Sequence, residues 1–156
     1  MNPKSKSAAS HSARVKPAIP TLDQYLHHHT ITTRWRDNDV YGHVNNVVYY
    51  SWFDTAVNGY LVEQGVLDFA TGGIVGLVVE TQCNYYQPVA FPDQIIAGVS
   101  VAKIGNSSVR YEVGIFRNEK TVASASGHFV HVYVDAQTRK PQSLPEEFRK
   151  VLQKLV

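Results

Sequence analysis

The sequence predicts an α+β domain in which an antiparallel sheet wraps around one long buried helix. Two observations carry that expectation. The segment from about Asn45 to Gln64 has helical spacing but only a narrow polar stripe, Ser51, Asp54, Thr55 and Asn58. The rest of it is largely apolar or aromatic, including Val47, Tyr49, Trp52, Phe53, Val57 and Leu61. A surface helix carries a broad polar face, so this one is expected to be covered on most sides. The second observation is a series of alternating segments joined by short polar turns, the pattern of antiparallel strands. A helix with little wet surface and a sheet with one apolar face satisfy each other when the sheet curls around the helix.

Taken in order, residues 1–22 are Ser, Ala, Lys and Pro with almost no large apolar groups, and they read as a disordered tail preceding a domain at 23–156. His27, His28 and His29 read as the approach to the first strand, since consecutive side chains diverge and no further metal ligands stand nearby. Residues 30–36 alternate as a strand with Ile31, Thr33 and Trp35 on one face. Residues 37–43 form a polar, Gly-containing loop. Asn45 can cap the helix and Gly65 suits a left-handed residue at its end. Ala56 and Gly59 permit close packing against the helix axis.

Four strands follow. Val79, Thr81, Cys83 and Tyr85 share one face of the first, Ile95, Ala97, Val99 and Val101 one face of the second, and Val109, Tyr111, Val113 and Ile115 one face of the third. The fourth spans about 120–134, with small residues Ala123, Ala125 and Gly127 in line with Phe129 to leave room for the helix. Turns are expected at Pro88–Asp93, Gly105–Asn106 and Asn118–Glu119. Leu144 to Val156 reads as a short helix with Pro145 in its first turn and Glu146 and Glu147 near its positive end.

The 156 residues suffice for one domain with a core. No apolar run approaches the ~20 residues of a membrane-spanning helix, and no apolar stretch follows the N-terminal lysines as in a secretory signal. The single cysteine, Cys83, excludes an intramolecular disulfide and a multi-cysteine zinc site, so a cytoplasmic setting is expected. Net charge is +2, but Lys4, Lys6, Arg14 and Lys16 make residues 1–22 +4, which leaves the rest at −2. That balance argues against nucleic-acid binding.

Polar groups cluster from Arg34 to Asn46, between a strand and the start of the buried helix. Backbone N–H groups in a first helical turn lack intrahelical partners and favour anions. A carbonyl held there has its developing oxyanion stabilised, and a loop carboxylate can attack it or activate water. A thioester suits such a site because thiolate leaves without a strong general acid. The alternative reading of Asp37 and Asp39 is turn and capping chemistry, with Asp37, nearer the strand, the more structural of the two.

The run Asp37-Asn38-Asp39-Val40-Tyr41-Gly42-His43-Val44-Asn45-Asn46-Val47-Val48-Tyr49-Tyr50 resembles the signature of the hotdog-fold acyl-CoA thioesterases of the 4-hydroxybenzoyl-CoA thioesterase type. It is also similar to the corresponding segment of plant acyl-carrier-protein thioesterases. The resemblance extends over about residues 28–152 and includes Tyr85-Tyr86-Gln87-Pro88, Pro92-Asp93, Asp135, Arg139, Lys140 and the Pro-Glu-Glu start of the last helix. It implies a hotdog fold and an acyl-CoA thioesterase in which Asp39 is nucleophile or general base and the backbone N–H near Asn46 polarises the carbonyl. His43 matches a histidine of the plant enzymes, and two roles stand for it: orienting Asp39 or water, or bonding loop backbone. The resemblance also implies subunits paired edge to edge as a homodimer or a dimer of dimers, that is, a homotetramer.

The candidate catalytic residues are therefore Asp39, His43 and Asn46. Asn45, at the cap, and Tyr49, on a helix whose aromatics can wall an acyl pocket, are candidate substrate contacts. Ser107, Ser108 and Arg110 are candidates for the CoA phosphates, beside Lys103, Arg117, Arg139 and Lys140. No metal and no cofactor is expected. The substrate is a fatty or aromatic acyl group on CoA, with an acyl-carrier protein as the alternative carrier. Two other functions stay open: a non-catalytic acyl-CoA binding module, and a hydratase or dehydratase on the same fold. Cys83 on an apolar strand face reads as a buried inert thiol, and His128 and His131 fall on opposite strand faces.

Overall fold

The computed structural model describes residues 16–156. Five strands, β1 (His27–Thr32), β2 (Ile74–Tyr85), β3 (Gln94–Ile104), β4 (Ser108–Arg117) and β5 (Ala125–Asp135), and two helices, α1 (Asn46–Glu63) and α2 (Glu146–Gln153), follow in the order β1-α1-β2-β3-β4-β5-α2. The strands form one antiparallel sheet in the order β1-β3-β4-β5-β2. The short turns make β3, β4 and β5 consecutive neighbours, as their spacing predicts. β2 and β3 are not neighbours despite the turn residues between them: residues 86–93 carry the chain across, so β2 pairs with β5 and β3 with β1. β1 and β2 are the sheet edges.

α1 lies across one face of this sheet. Its buried side is Tyr49, Trp52, Phe53, Ala56, Val57, Tyr60 and Leu61, packed on alternate residues of β3, β4 and β5. Each fully buried side chain of this size contributes about 1.5–3 kcal/mol relative to exposure. The small residues act as expected at two points. A Cβ on Gly127 would collide with the Gln82 carbonyl and come within 2.9 Å of the Phe53 ring, and one on Gly59 would meet the His29 ring at 3.4 Å. Ser51, Asp54 and Thr55 face outward, so in the single subunit the polar stripe is exposed.

Helix ends follow their residues. The Asn45 side chain accepts from the Val47 N–H at 3.1 Å, and Gly65 takes φ 73° after α1 ends. α2 is shorter than Leu144–Val156, with Pro145 as its cap rather than inside its first turn. Lys150 pairs with Glu146 and Glu147 on its exposed side, while Phe148, Val151 and Leu152 are buried. The Tyr60 hydroxyl donates to the Val151 carbonyl at 2.8 Å and ties the end of α1 to α2.

Three further sequence expectations are corrected. The strand read over 30–36 is displaced to 27–32, and Trp35–Asp37 form a 3-10 turn that leaves Trp35 82% exposed. Strand alternation and a tight polar turn look alike over three residues, and Asp37 decides the outcome by bonding back to Arg34. β2 begins at Ile74 rather than Val79, because a bulge between Val78 and Glu80 shifts the register and hides the first half from an alternation test. Ala123 precedes β5 and belongs to a small outer cluster with Tyr25 and Phe116, not to the face under α1. Residues 1–15 of the expected tail lie outside the described residues; at the end of that segment Pro20 to Leu22 dock, the Pro20 carbonyl accepting from Ala123 N–H and the Leu22 N–H donating to the Thr121 carbonyl.

That docked segment leads Tyr25 onto the outer face of the sheet. Its ring sits where Gly98 and Gly114 lack side chains; a Cβ on either would approach it to 2.7 and 2.6 Å. The cover is edge-on to Phe116, with centroids 5.7 Å apart.

Candidate functional site

The chain from Thr33 to Asn46 is fastened at several points. Asp37 is buried; its carboxylate accepts from the Arg34 backbone N–H at 2.8 Å and from the Arg34 guanidinium at 3.0 Å, and its carbonyl accepts from Asn45 N–H at 2.9 Å. Asp37 is thus committed to holding the loop against the start of α1. Asn38 accepts from the Phe91 N–H through its side chain, which binds the loop to the β2–β3 connection.

Residues 38–44 form a short hairpin. Asn38 and Val44 make an isolated bridge, Asp39 N–H donates to the His43 carbonyl at 2.9 Å, and Gly42 N–H donates to the Asp39 carbonyl at 3.1 Å. Gly42 makes the turn at φ 81°, where a side chain is disfavoured. Asp39 is half-buried. One carboxylate oxygen accepts from the Tyr41 N–H at 2.8 Å; among the described residues the other has no hydrogen-bond donor, and no cation pairs with it. His43 is exposed, and its ring makes no hydrogen bond to the described residues.

At the start of α1 the donors divide unevenly. The Val47 N–H is taken by the Asn45 side chain and the Val48 N–H by the Asn45 carbonyl at 3.0 Å. The Asn46 N–H meets no acceptor among the described residues. An unclaimed donor at a helix N-terminus is where an anion is favoured. Beside it opens a cleft of about 260 Å³ walled by His43, Val44, Asn46, Tyr49, Tyr85, Tyr86, Gln87 and Pro88. Tyr49 is buried, and burial pushes its hydroxyl up to about 12, so it stays a neutral phenol.

The structure therefore brings His43, Asn46 and Tyr49 to one cleft, with Asn45 capping the helix behind them. Asp39 does not wall the cleft of the single subunit; it stands one hydrogen bond across the hairpin from His43. Ser107, Ser108 and Arg110 are not brought there. They lie where β3 turns into β4: Tyr85 at the cleft pairs with Ala125, Ala125 pairs with Ile115, and Ser108 stands seven residues from Ile115 along β4, roughly 24 Å away. The Ser107 carbonyl accepts from Tyr133 N–H and the Ser108 carbonyl from Gly105 N–H, while Arg110 lies on the outer face, paired with Glu112 at 2.8 Å and Glu80 at 3.8 Å.

Sequence reasoning did not assign Tyr85, Tyr86, Gln87 or Pro88 to the site. They reach it because β2 pairs with β5, a long-range choice that no local pattern reveals. Cys83 is half-buried and burial pushes its thiol up to about 11, away from thiolate chemistry. His131 is buried inside the sheet, whereas His128 bonds Glu80 on the outside at 2.6 Å.

Comparison with known proteins gives one consistent result. The family model for the thioesterase-like superfamily matches residues 33–152. No curated protein sequence matches the chain. Among solved structures, the PA5185 protein of Pseudomonas aeruginosa is 51% identical, covers 88% of this chain and 96% of its own, and superposes with a TM-score of 0.86. Slr0204, a 1,4-dihydroxy-2-naphthoyl-CoA thioesterase from Synechocystis, is 15% identical with a TM-score of 0.73, covering 82% of this chain and 96% of its own. A DHNA-CoA thioesterase from Staphylococcus aureus is 22% identical with a TM-score of 0.71, covering 81% of this chain and 86% of its own. At these identities the last two show likeness of fold.

Proposed function

Because the chain belongs to the thioesterase-like superfamily and has the hotdog fold, we propose that it hydrolyses acyl-CoA thioesters, fatty or aromatic, to the free acid and CoA. The observation that carries this reading is the pairing of an under-used carboxylate, Asp39, with an unclaimed helix N-terminal donor, the Asn46 N–H, on one braced loop beside a cleft.

The thioester carbonyl oxygen takes the Asn46 N–H as its donor. Charge develops on that oxygen as the carbonyl becomes tetrahedral, so the bond is stronger in the transition state than in the ground state. Asp39 supplies the attack by one of two routes. As nucleophile it displaces thiolate to form a mixed anhydride, which water then opens. As general base it removes a proton from a water that attacks the carbonyl directly. Either route releases thiolate. The His43 ring, on the cleft wall, would orient Asp39 or that water.

The reading includes a homodimer. β2 is a twelve-residue edge strand with Leu77, Val78 and Val79 exposed, a surface that a two-fold antiparallel partner would cover. Such pairing sets the Tyr85 end of one β2 beside the Ile74 end of the other. Ile74 pairs with Asp135 and Ser108 with Val132. The far ends of β4 and β5 would therefore approach the cleft from the second subunit. Ser107 of the partner subunit, Ser108 of the partner subunit and Arg110 of the partner subunit then become the candidates for the CoA end, with a dimer of dimers as the larger assembly.

Release of free thiol from a panel of fatty and aromatic acyl-CoAs tests the assignment and ranks the acyl groups. Tight binding without thiol release would indicate a binding module. Loss of the conjugated absorbance of a 2-enoyl-CoA would indicate a hydratase.

A further inference from the structure

Tyr85 is the last residue of β2 and one wall of the cleft, and its hydroxyl donates to the Asn46 carbonyl at 3.0 Å. That contact spans 39 residues and joins the sheet edge to the first residue of α1. The Tyr85 ring is held in turn by Tyr49, edge-on with centroids 5.0 Å apart. The peptide that receives the Tyr85 hydroxyl is the one whose N–H, on Val47, donates to the Asn45 side chain. Tyr85, the Asn46–Val47 peptide and Asn45 therefore form a single hydrogen-bonded chain across the helix start. Donation into a carbonyl strengthens the N–H of the same peptide, so each bond supports the other. The preceding residue is fixed as well, because Asn45 N–H donates to Asp37. Asn46 is thus pinned on both sides, and among the described residues its own N–H is the donor left without an acceptor.

We propose that Tyr85 is a positioning residue of this site, a phenol clamp on the Asn46 carbonyl that fixes the direction of the free Asn46 N–H. The inference rests on the thioesterase reading and adds a residue that acts through Asn46 and not on Asp39. Tyr85 is 45% exposed, and partial desolvation, with Cys83 and Tyr50 also opposing ionisation, raises its phenol above the ordinary value, so the clamp acts as a neutral donor. Pre-set donors of this kind act mainly on the tetrahedral state, where a small misdirection costs rate more than binding.

The test is Tyr85→Phe in the full chain, assayed by thiol release alongside wild type, Asp39→Asn, Asn45→Ala and the double variant Tyr85→Phe/Asn45→Ala. The clamp predicts a fall of about tenfold in kcat, KM within about twofold, an unmoved acidic limb of the pH profile, and wild-type elution and melting. Because Tyr85 and Asn45 hold the same peptide, the double variant loses less than the product of the two single losses. Four results overturn the proposal: kcat within twofold of wild type, a loss confined to KM, a displaced acidic limb, or changed elution or melting that makes the bond merely architectural. Failure of the parent reading is separate and visible, since wild type would then release no thiol or Asp39→Asn would retain full activity.

Discussion

The Asp39 backbone N–H donates to the His43 carbonyl at 2.9 Å, so the loop's acid and its histidine stand on facing arms of one short hairpin. The chain reverses at Gly42, whose φ is 81° and whose missing Cβ would touch nothing within 4 Å. Replacement there is opposed by backbone strain alone. Gly42→Ala is expected to cost about 1–2 kcal/mol locally and to lower kcat/KM several-fold. Gly42→Asn, which tolerates the left-handed region better, is expected to keep more activity. Steady-state kinetics of the two variants check this; equal losses would show that side-chain volume, not φ, is the constraint.

His131 couples stability to pH. It is buried among Tyr111, Phe129 and Tyr133, and its Nε2 meets no partner among the described residues. Burial lowers its pKa from 6.5 to about 4. The unfolded chain therefore binds a proton that the folded chain refuses until much lower pH. The stability tied to the neutral ring is complete above about pH 6.5 and is lost as pH falls from there toward about 4, by up to about 3 kcal/mol. Urea midpoints measured across this window should slope downward for wild type and slope less for His131→Leu.

The outer face holds a steric lock. Gly114→Ala places a Cβ 2.6 Å from the Tyr25 ring, and Gly98→Ala one at 2.7 Å. Each is expected to destabilise by about 1–3 kcal/mol. Adding Tyr25→Leu to Gly114→Ala should return part of that loss, a coupling that a double-mutant cycle on denaturation midpoints measures.

These positions show how far the sequence could be read. The covered helix was legible because its polar stripe is narrow, and its ends because Asn45 and Gly65 are strong local signals. The loop acids were legible as a cluster with Asp37 the more structural, but its reason is the bonding to Arg34 and Asn45 and not nearness to the strand, which ends at Thr32. What was hidden depends on long-range pairing. The bulge at Val79 masked half of β2, and the β2–β5 pairing that carries Tyr85 to Asn46 leaves no local trace. Ser107, Ser108 and Arg110 look like phosphate contacts by type, but the register of β3 and β4 sets them at the opposite end of their own subunit.

The β2 edge gives a prediction about assembly. Val79 lies at the bulge and is 59% exposed. Val79→Glu places like charges together on both strands of a two-fold pair, which opposes association. Sedimentation should show a smaller species than wild type with a normal circular dichroism spectrum, and thiol release should fall with assembly. An unchanged sedimentation coefficient would remove β2 from the interface.

The central claim is that Asp39 drives hydrolysis of a carbonyl held at the Asn46 N–H. The direct measurement is single-turnover release of free thiol from an acyl-CoA by wild type and by Asp39→Asn, which keeps the shape and the acceptor for Tyr41 N–H while removing the charge. The account predicts a loss of about 10²–10⁴-fold in the rate of thiol release with acyl-CoA binding retained. A variant that releases thiol at the wild-type rate would contradict it.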